Sequence, residues 1–130
     1  MSKQVLKIIS DTMTSLRLEY GFGEYSGNAK GKIIYPYFVG SYTESESMTE
    51  DGLQEGTILL TGFSRGSWLD LENAKERIEN YFNRSFGYTA ITDSGSGVAI
   101  SYAGSLIVPT GDAELKSIQI NLSVKEWKVN

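Results

Sequence analysis

The sequence predicts an α+β protein: a two-layer sandwich with a mostly antiparallel sheet and two helices packed on one face. Two segments carry apolar residues at helical spacing, and several others alternate or are rich in β-branched and aromatic residues. Glycine is frequent, at 14 residues against two prolines, which favours a chain with many turns. The predicted order is α-β-β-α-β-β(-β), and the length of 130 residues indicates a single domain over 1–130.

The first helix is predicted over residues 2–20. Ser2 is a suitable N-cap, because its hydroxyl can accept from the first N–H groups of the helix. Gly21 and Gly23 are expected to end the helix, and residues 21–31 are expected to form a loop. The apolar face of this helix consists of Val5, Ile9, Met13 and Leu16.

A long hairpin is predicted next, with strands over residues 32–42 and 56–65. Pro36 has no N–H to donate, so the first strand is expected to lie at an edge or to be broken there by a bulge. The segment between the strands carries acidic residues and no basic one, and their spacing does not follow a calcium-binding loop. We expect a solvated hairpin tip, or a charged surface that faces a partner or a pore. The acidic residues are Glu44, Glu46, Glu50, Asp51 and Glu55.

The second helix is predicted to begin after Ser67 and to end near Phe82. Ser67 and Asp70 match a capping box, and the apolar stripe that follows is Leu71, Ala74, Ile78 and Tyr81 or Phe82. The last third of the chain is predicted to form strands over residues 88–92 and 98–108 and a final strand in which apolar residues alternate with polar ones. Continued alternation places Trp127 on the polar face of that strand.

The composition argues against an enzyme. The chain has no cysteine and no histidine, which excludes thiolate catalysis and removes the usual general base near neutral pH. We therefore expect no catalytic residue, no metal and no cofactor. The net charge of −4 argues against nucleic-acid binding through clustered cations, and no apolar run reaches membrane-spanning length. A cytosolic or virion location fits these features best.

Two patterns in the centre of the chain could be read as catalytic. Residues 62–66, Gly-Phe-Ser-Arg-Gly, match the letters of a nucleophile elbow around Ser64, but the histidine and the long parallel sheet of that hydrolase class are missing. The carboxylates at 70, 72, 76 and 79 share a predicted helix, whereas glycosidase pairs come from separate elements. We interpret the first match as coincidence and the carboxylates as a solvated helix face.

Aromatic residues and one arginine are the candidate contact residues of this chain. Tyr, Trp and Arg are enriched at protein–protein hot spots, although about half of the aromatics are expected to be core. Residues 37–42 carry an aromatic on both strand faces, so we expect one set to be covered by something other than the chain's own helices. The candidate interface residues are Tyr37, Phe38, Tyr42, Phe63, Arg65, Trp68 and Trp127.

The run from residue 51 to residue 75 reads Asp-Gly-Leu-Gln-Glu-Gly-Thr-Ile-Leu-Leu-Thr-Gly-Phe-Ser-Arg-Gly-Ser-Trp-Leu-Asp-Leu-Glu-Asn-Ala-Lys. It resembles the tail-terminator and tail-completion proteins of long-tailed bacteriophages, also described as minor tail proteins of prophages. The likeness in length and element order covers nearly the whole chain. The acidic hairpin and the strand-to-helix junction are alike at the residue level.

The resemblance implies a non-enzymatic subunit that forms a ring, typically sixfold, on the end of the tail tube. Such a ring stops tube polymerisation and presents a surface to the head-side connector. It implies contacts along the hairpin edges, an acidic loop facing the lumen or the axis, and Arg65 and Trp68 near an interface. The expected location is the virion tail, after assembly in the host cytoplasm. The alternatives are a head-closure or neck protein, and a small ligand-binding or regulatory domain suggested by the glycine-rich loops.

Overall fold

The computed structural model describes residues 1–44, 52–83, 87–92 and 95–127. In that part of the chain it contains two helices and six strands. The bounds are α1 (Lys3–Ser15), β1 (Glu19–Phe22), β2 (Tyr37–Glu44), β3 (Leu53–Arg65), α2 (Trp68–Phe82), β4 (Tyr88–Ile91), β5 (Gly97–Ile107) and β6 (Leu115–Trp127).

The strands form one sheet in the order β1-β2-β3-β6-β5-β4. All neighbouring strands are antiparallel except β1, which is parallel to β2. β3 and β6 form the centre of the sheet, with a ladder that runs from Leu53 opposite Trp127 to Arg65 opposite Leu115. The predicted α+β class with a mostly antiparallel sheet is confirmed, and the order gains one strand, β1, that the sequence did not predict.

Both helices pack on the same face of the sheet, as predicted. We call it the helix face and the opposite side the free face. The buried apolar side chains of the strands belong to the helix face and join those of the helices in one cluster. The fully buried members with the largest side chains are Phe38, Phe82, Ile9, Met13, Ile58, Leu60, Leu71, Ile78, Ile100, Ile118, Ile120 and Leu122.

The first helix is shorter than predicted because the chain turns at Arg17. Leu16 caps the helix, Arg17 takes a positive φ of 59°, and the N–H of Leu18 donates to the carbonyl of Met13 at 2.9 Å. The N–H of Arg17 donates to Thr14, which completes the hydrogen bonds of a Schellman motif. Glycine usually occupies this left-handed position. The sequence therefore carried no signal for the turn, and β1 was assigned to the predicted helix and loop.

The hairpin of β2 and β3 is present, but most of it lies inside the sheet. β2 begins at Tyr37, directly after Pro36, and β1 covers its outer edge from Tyr37 to Gly40. β6 covers β3 along its whole length. β1 and β6 thus pair with much of the hairpin edges along which the resemblance implies contacts between subunits. In the described residues, β1 pairs with β2 as far as Gly40, so residues 41–44 of β2 pair with β3 on one side. The pairing of β2 with β3 likewise covers Gly56 to Phe63 of β3 and not its two ends.

The helix α2 begins and ends where the sequence predicts. The hydroxyl of Ser67 accepts from the N–H of Leu69 at 3.0 Å, and the N–H of Asn83 donates to Glu79 at the C-terminal end. The guanidinium of Arg77 donates to the carbonyl of Leu16 at 2.9 Å. This bond satisfies the carbonyl at the C-cap of α1 and joins the two helices.

Candidate assembly surfaces

The candidate contact residues are distributed over several parts of the structure. One is in the core, and the others lie on the free face or at the two ends of the sheet. β3 spans the distance between those ends, which is roughly 40 Å for a strand of this length. Outside the core, Tyr37 lies opposite Phe63, and Arg65 and Trp68 lie at the junction of β3 and α2. Tyr42 and Trp127 lie towards the other end of the sheet on different faces, opposite Ile58 and Leu53.

Phe38 is a core residue with none of its surface exposed (0%). Its ring lies over Gly62 on the neighbouring strand, where an added Cβ would come within 2.5 Å of a ring carbon. A glycine is required at this position because the aromatic ring occupies the space of a side chain. The prediction of Phe38 as an interface residue is wrong, because its side chain is buried. The sequence has aromatic residues on both faces of β2 and does not show which face the helices cover.

An aromatic cluster covers part of the free face. Tyr37 stacks on Tyr25 with ring centroids 4.6 Å apart, and it also contacts Phe63 at 5.2 Å and Tyr35 at 5.5 Å. Such offset ring pairs contribute beyond their buried area. Tyr25 and Tyr35 come from the segment between β1 and β2. That segment, rather than a helix, therefore covers one of the two aromatic sets of β2.

Arg65 stands at the end of β3, between the aromatic cluster and the turn before β6. Its Nε donates to the hydroxyl of Tyr35 at 3.4 Å, and its guanidinium lies 5.9 Å from the centre of that ring. A nitrogen of the same group lies 3.7 Å from a carboxylate oxygen of Asp112. The hydrogen bond to Tyr35 raises the pKa of Arg65, so the group stays charged. Half of its side chain remains exposed, at 50%, and can reach a partner.

A cavity of about 370 Å³ lies beside Trp68, at the start of α2. Its walls are mostly formed by the turn between β5 and β6, including Ile107, Pro109 and Leu115. The turn is held by its own hydrogen bonds: the Thr110 hydroxyl bonds the Leu115 carbonyl at 2.7 Å and accepts from the N–H of residue 112 at 3.1 Å. The cavity wall is therefore preorganised and mostly apolar.

Two residues that line this cavity are large, apolar and exposed: Trp68 exposes 37% of its surface and Ile107 exposes 63%. Leu69, the residue after Trp68 on α2, exposes 65%. We call these residues, together with Arg65, the junction surface. The sequence pointed to Arg65 and Trp68 but missed Leu69 and Ile107. A register shift between Tyr102 and Gly104 precedes Ile107, so counting along β5 could not place it.

The other end of the sheet exposes a row of apolar residues on the free face. Trp127 lies opposite Leu53 on β3 and Gly97 on β5, and Gly97 lies opposite Ile91 on β4. A Cβ added at Gly97 would be 3.7 Å from the indole of Trp127, so the ring lies against that glycine. Trp127 and Ile91 expose 41% and 76% of their surface. The predicted position of Trp127 on the polar face of β6 agrees with this geometry.

The root of the acidic hairpin lies at the same end. The α-amino group of Met1 lies 2.5 Å from a carboxylate oxygen of Glu44, and Tyr42 stacks on Phe22 with ring centroids 6.1 Å apart. Glu55 lies opposite Lys125 on β6. The remaining acidic residues of the predicted loop, Glu46, Glu50 and Asp51, lie outside the described residues.

Ser64 is placed where a nucleophile could not meet a substrate. It lies within β3, four residues before the first residue of α2, and it is fully buried at 0% exposure. Its hydroxyl has no hydrogen-bond partner among the described residues. The match of residues 62–66 to a nucleophile elbow therefore lacks the exposed turn that the motif requires.

The acidic residues of α2 form a solvated face, as expected. Glu72 and Glu76 are exposed, and Glu72 pairs with Lys75 at 3.3 Å, one turn further along the helix. Within the described ranges, no three carboxylates lie close enough together to hold a metal ion.

Searches against protein-family models and curated proteins found no match to this chain. In the described residues, neither helix is long and apolar enough to cross a membrane.

Proposed function

We propose that this chain is a structural virion protein that caps the tail tube of a long-tailed phage as a ring of six copies, by analogy with the family it resembles. The ring ends tube polymerisation and joins the tail to the head-side connector. The observation that carries the proposal is the position of the run that resembles tail-completion proteins. Residues 52–75 of that run form β3, the strand-to-helix junction and the start of α2, and they supply most of the junction surface.

The junction surface has the composition of a protein contact. It combines a tryptophan and a half-exposed arginine with two apolar residues that are more than 60% exposed. The adjacent cavity of about 370 Å³ has room for a side chain of a partner. Contacts with Tyr35 and Asp112 favour one orientation of Arg65 before a partner binds.

The acidic hairpin is proposed to face the lumen or the tail axis. Its root carries Glu44 and Glu55, and the sequence adds Glu46, Glu50 and Asp51 without any lysine or arginine over residues 43–55. A lumen lined with negative charge repels DNA and lets it pass without adhering. In this proposal the chain binds itself, the tail-tube protein and the connector, and it binds neither a specific nucleic acid nor a membrane.

The length of tail tubes tests this function. Tube protein of the same phage is polymerised with and without the chain, and tube lengths are measured in electron micrographs. The wild-type chain is expected to stop elongation, and Trp68→Ser is expected to weaken this at least about tenfold because a hot-spot aromatic is lost. The matched control is Glu76→Ser, an exposed residue two turns along the same helix. Tubes that grow equally long with the wild-type chain would rule out the tail-terminator role.

The junction cavity favours one alternative, a small ligand-binding or regulatory domain. A preorganised and largely apolar cavity beside a tryptophan is the kind of site that small ligands occupy. A thermal-shift screen with small metabolites separates the two functions. A clear shift that Trp68→Ser abolishes, combined with no effect on tube length, would favour the ligand-binding function.

A further inference from the structure

We propose that the outer edge of β4 binds the same edge of a second copy of this chain, forming a two-fold dimer of the free protein. The unpaired edge of β4, a groove beside it that has both polar and apolar walls, and two opposite charges on α1 carry the inference. The dimer goes beyond the proposed tail function, because it forms without a tail tube.

The edge of β4 is open among the described residues. β4 is the last strand of the sheet and pairs only with β5, from Tyr88 opposite Ile100 to Ile91 opposite Gly97. The backbone groups on its outer side therefore have no strand partner in this part of the chain. Such an edge is a template for another strand. Ile91 exposes 76% of its surface and lacks the charge that usually protects an edge.

A groove of about 240 Å³ separates this edge from α1. It is lined by Lys7, Ile8 and Asp11 of α1 and by Ala90 and Ile91 of β4. A second groove of about 240 Å³ continues it and shares Ile8 and Asp11. Tyr88 of β4 lines both grooves, with Lys7 in the first and with Thr12 and Ser15 in the second. The edge strand therefore borders α1 across both grooves.

The charges bordering the groove are self-complementary under a two-fold axis. Lys7 and Asp11 are both exposed and lie one helical turn apart, roughly 6 Å along α1. Neither forms an ion pair with another described residue. A two-fold axis through the β4 edge sets the two copies of α1 antiparallel, so that Lys7 of each copy faces Asp11 of the other. An isologous interface requires this reciprocity, which is why we assign the edge to a second copy of the chain.

Charge reversal on α1 tests the pairing. Dimer affinity is measured by sedimentation equilibrium over a concentration series, starting from the monomer mass of 14.3 kDa. Lys7→Glu and Asp11→Lys each place like charges opposite one another and are expected to weaken the dimer at least about tenfold. The double variant Lys7→Glu/Asp11→Lys restores both pairs and is expected to regain the dimer. Because both positions are exposed on the helix, the variants are expected to keep the fold, and circular dichroism checks this.

A single cysteine on the edge tests the geometry. The chain has no cysteine, so a disulfide reports only the residue introduced. Thr89→Cys or Ala90→Cys places two thiols near the axis, where antiparallel strands bring residues close enough for a disulfide. The matched control is Glu19→Cys on the opposite edge strand, β1, which is expected to give no linked dimer.

The outcomes separate this inference from the proposed function. Three results would each overturn the β4 dimer: a monomer at all concentrations, a dimer affinity that the charge reversals leave unchanged, or equal cross-linking through Glu19→Cys. None of these results concerns tube length. Loss of the dimer in both single variants, recovery in the double variant and cross-linking confined to β4 would establish it.

Discussion

At the scale of single residues, glycines define where the aromatic rings lie. The ring of Phe38 lies over Gly62, and that of Tyr20 lies over Gly40, where an added Cβ would be 2.1 Å from the tyrosine hydroxyl. The sequence shows these glycines but not their partners, because each contact crosses between strands. The aromatic pattern predicted a strand. The contacts with glycines on neighbouring strands show where the rings of Phe38 and Tyr20 lie.

Tyr20 gives a pH-dependent prediction. Burial raises the pKa of its hydroxyl from 10.0 to about 12, so the folded state holds the proton more tightly than the unfolded chain. The corresponding stability is fully present below pH 10 and is lost as the pH rises through about 12. Tyr20→Phe removes this contribution. Urea unfolding of both proteins between pH 9 and about 12 is expected to show a steeper loss for the wild type, and parallel curves would contradict the burial of Tyr20.

At the scale of elements, the sequence predicted most segments and missed the feature that separates α1 from β1. Periodicity and the Ser67 cap defined α2, and alternation defined β6. α1 ends because Arg17 adopts a left-handed conformation. Glycine usually marks such a position in a sequence, and here no glycine is present. The bulge of β5 could not be predicted from the sequence either. The extra residue changes which side chains are exposed after it, and no residue type in the strand marks its position. The exposure of Ile107 was missed for this reason, whereas Leu69 lies on α2, outside the apolar stripe predicted for that helix.

The turn at Arg17 predicts a stabilising substitution. A left-handed backbone conformation costs roughly 1–2 kcal/mol for a residue with a Cβ, and glycine avoids this cost. Glycine also has a larger conformational entropy in the unfolded chain, which offsets part of the stabilisation. Arg17→Gly is therefore expected to raise the free energy of unfolding by about 0.5–1 kcal/mol. Arg17→Ala loses the same charge but keeps the backbone cost, so it is the control and is expected to change little. Denaturant unfolding measures both, and destabilisation by glycine alone would contradict the Schellman turn.

At the scale of the whole molecule, the sheet separates two chemically different ends. The acidic hairpin root and the Trp127 row lie at one end, and the junction surface with its cavity lies at the other. The sequence predicted the aromatic and acidic residues of this arrangement, but their distribution over two ends required the strand register. A subunit with two distinct ends suits a position between two different partners, as proposed for a tail-completion protein.

We propose that copies of this chain form a closed ring at the end of a tail tube. Electron cryomicroscopy of tubes assembled with the protein tests it most directly. We predict a sixfold ring at one tube end, with the residue 43–55 segment directed to the lumen or the axis. Tubes with bare ends, with the chain bound along their sides, or capped only by a two-fold dimer would contradict the account.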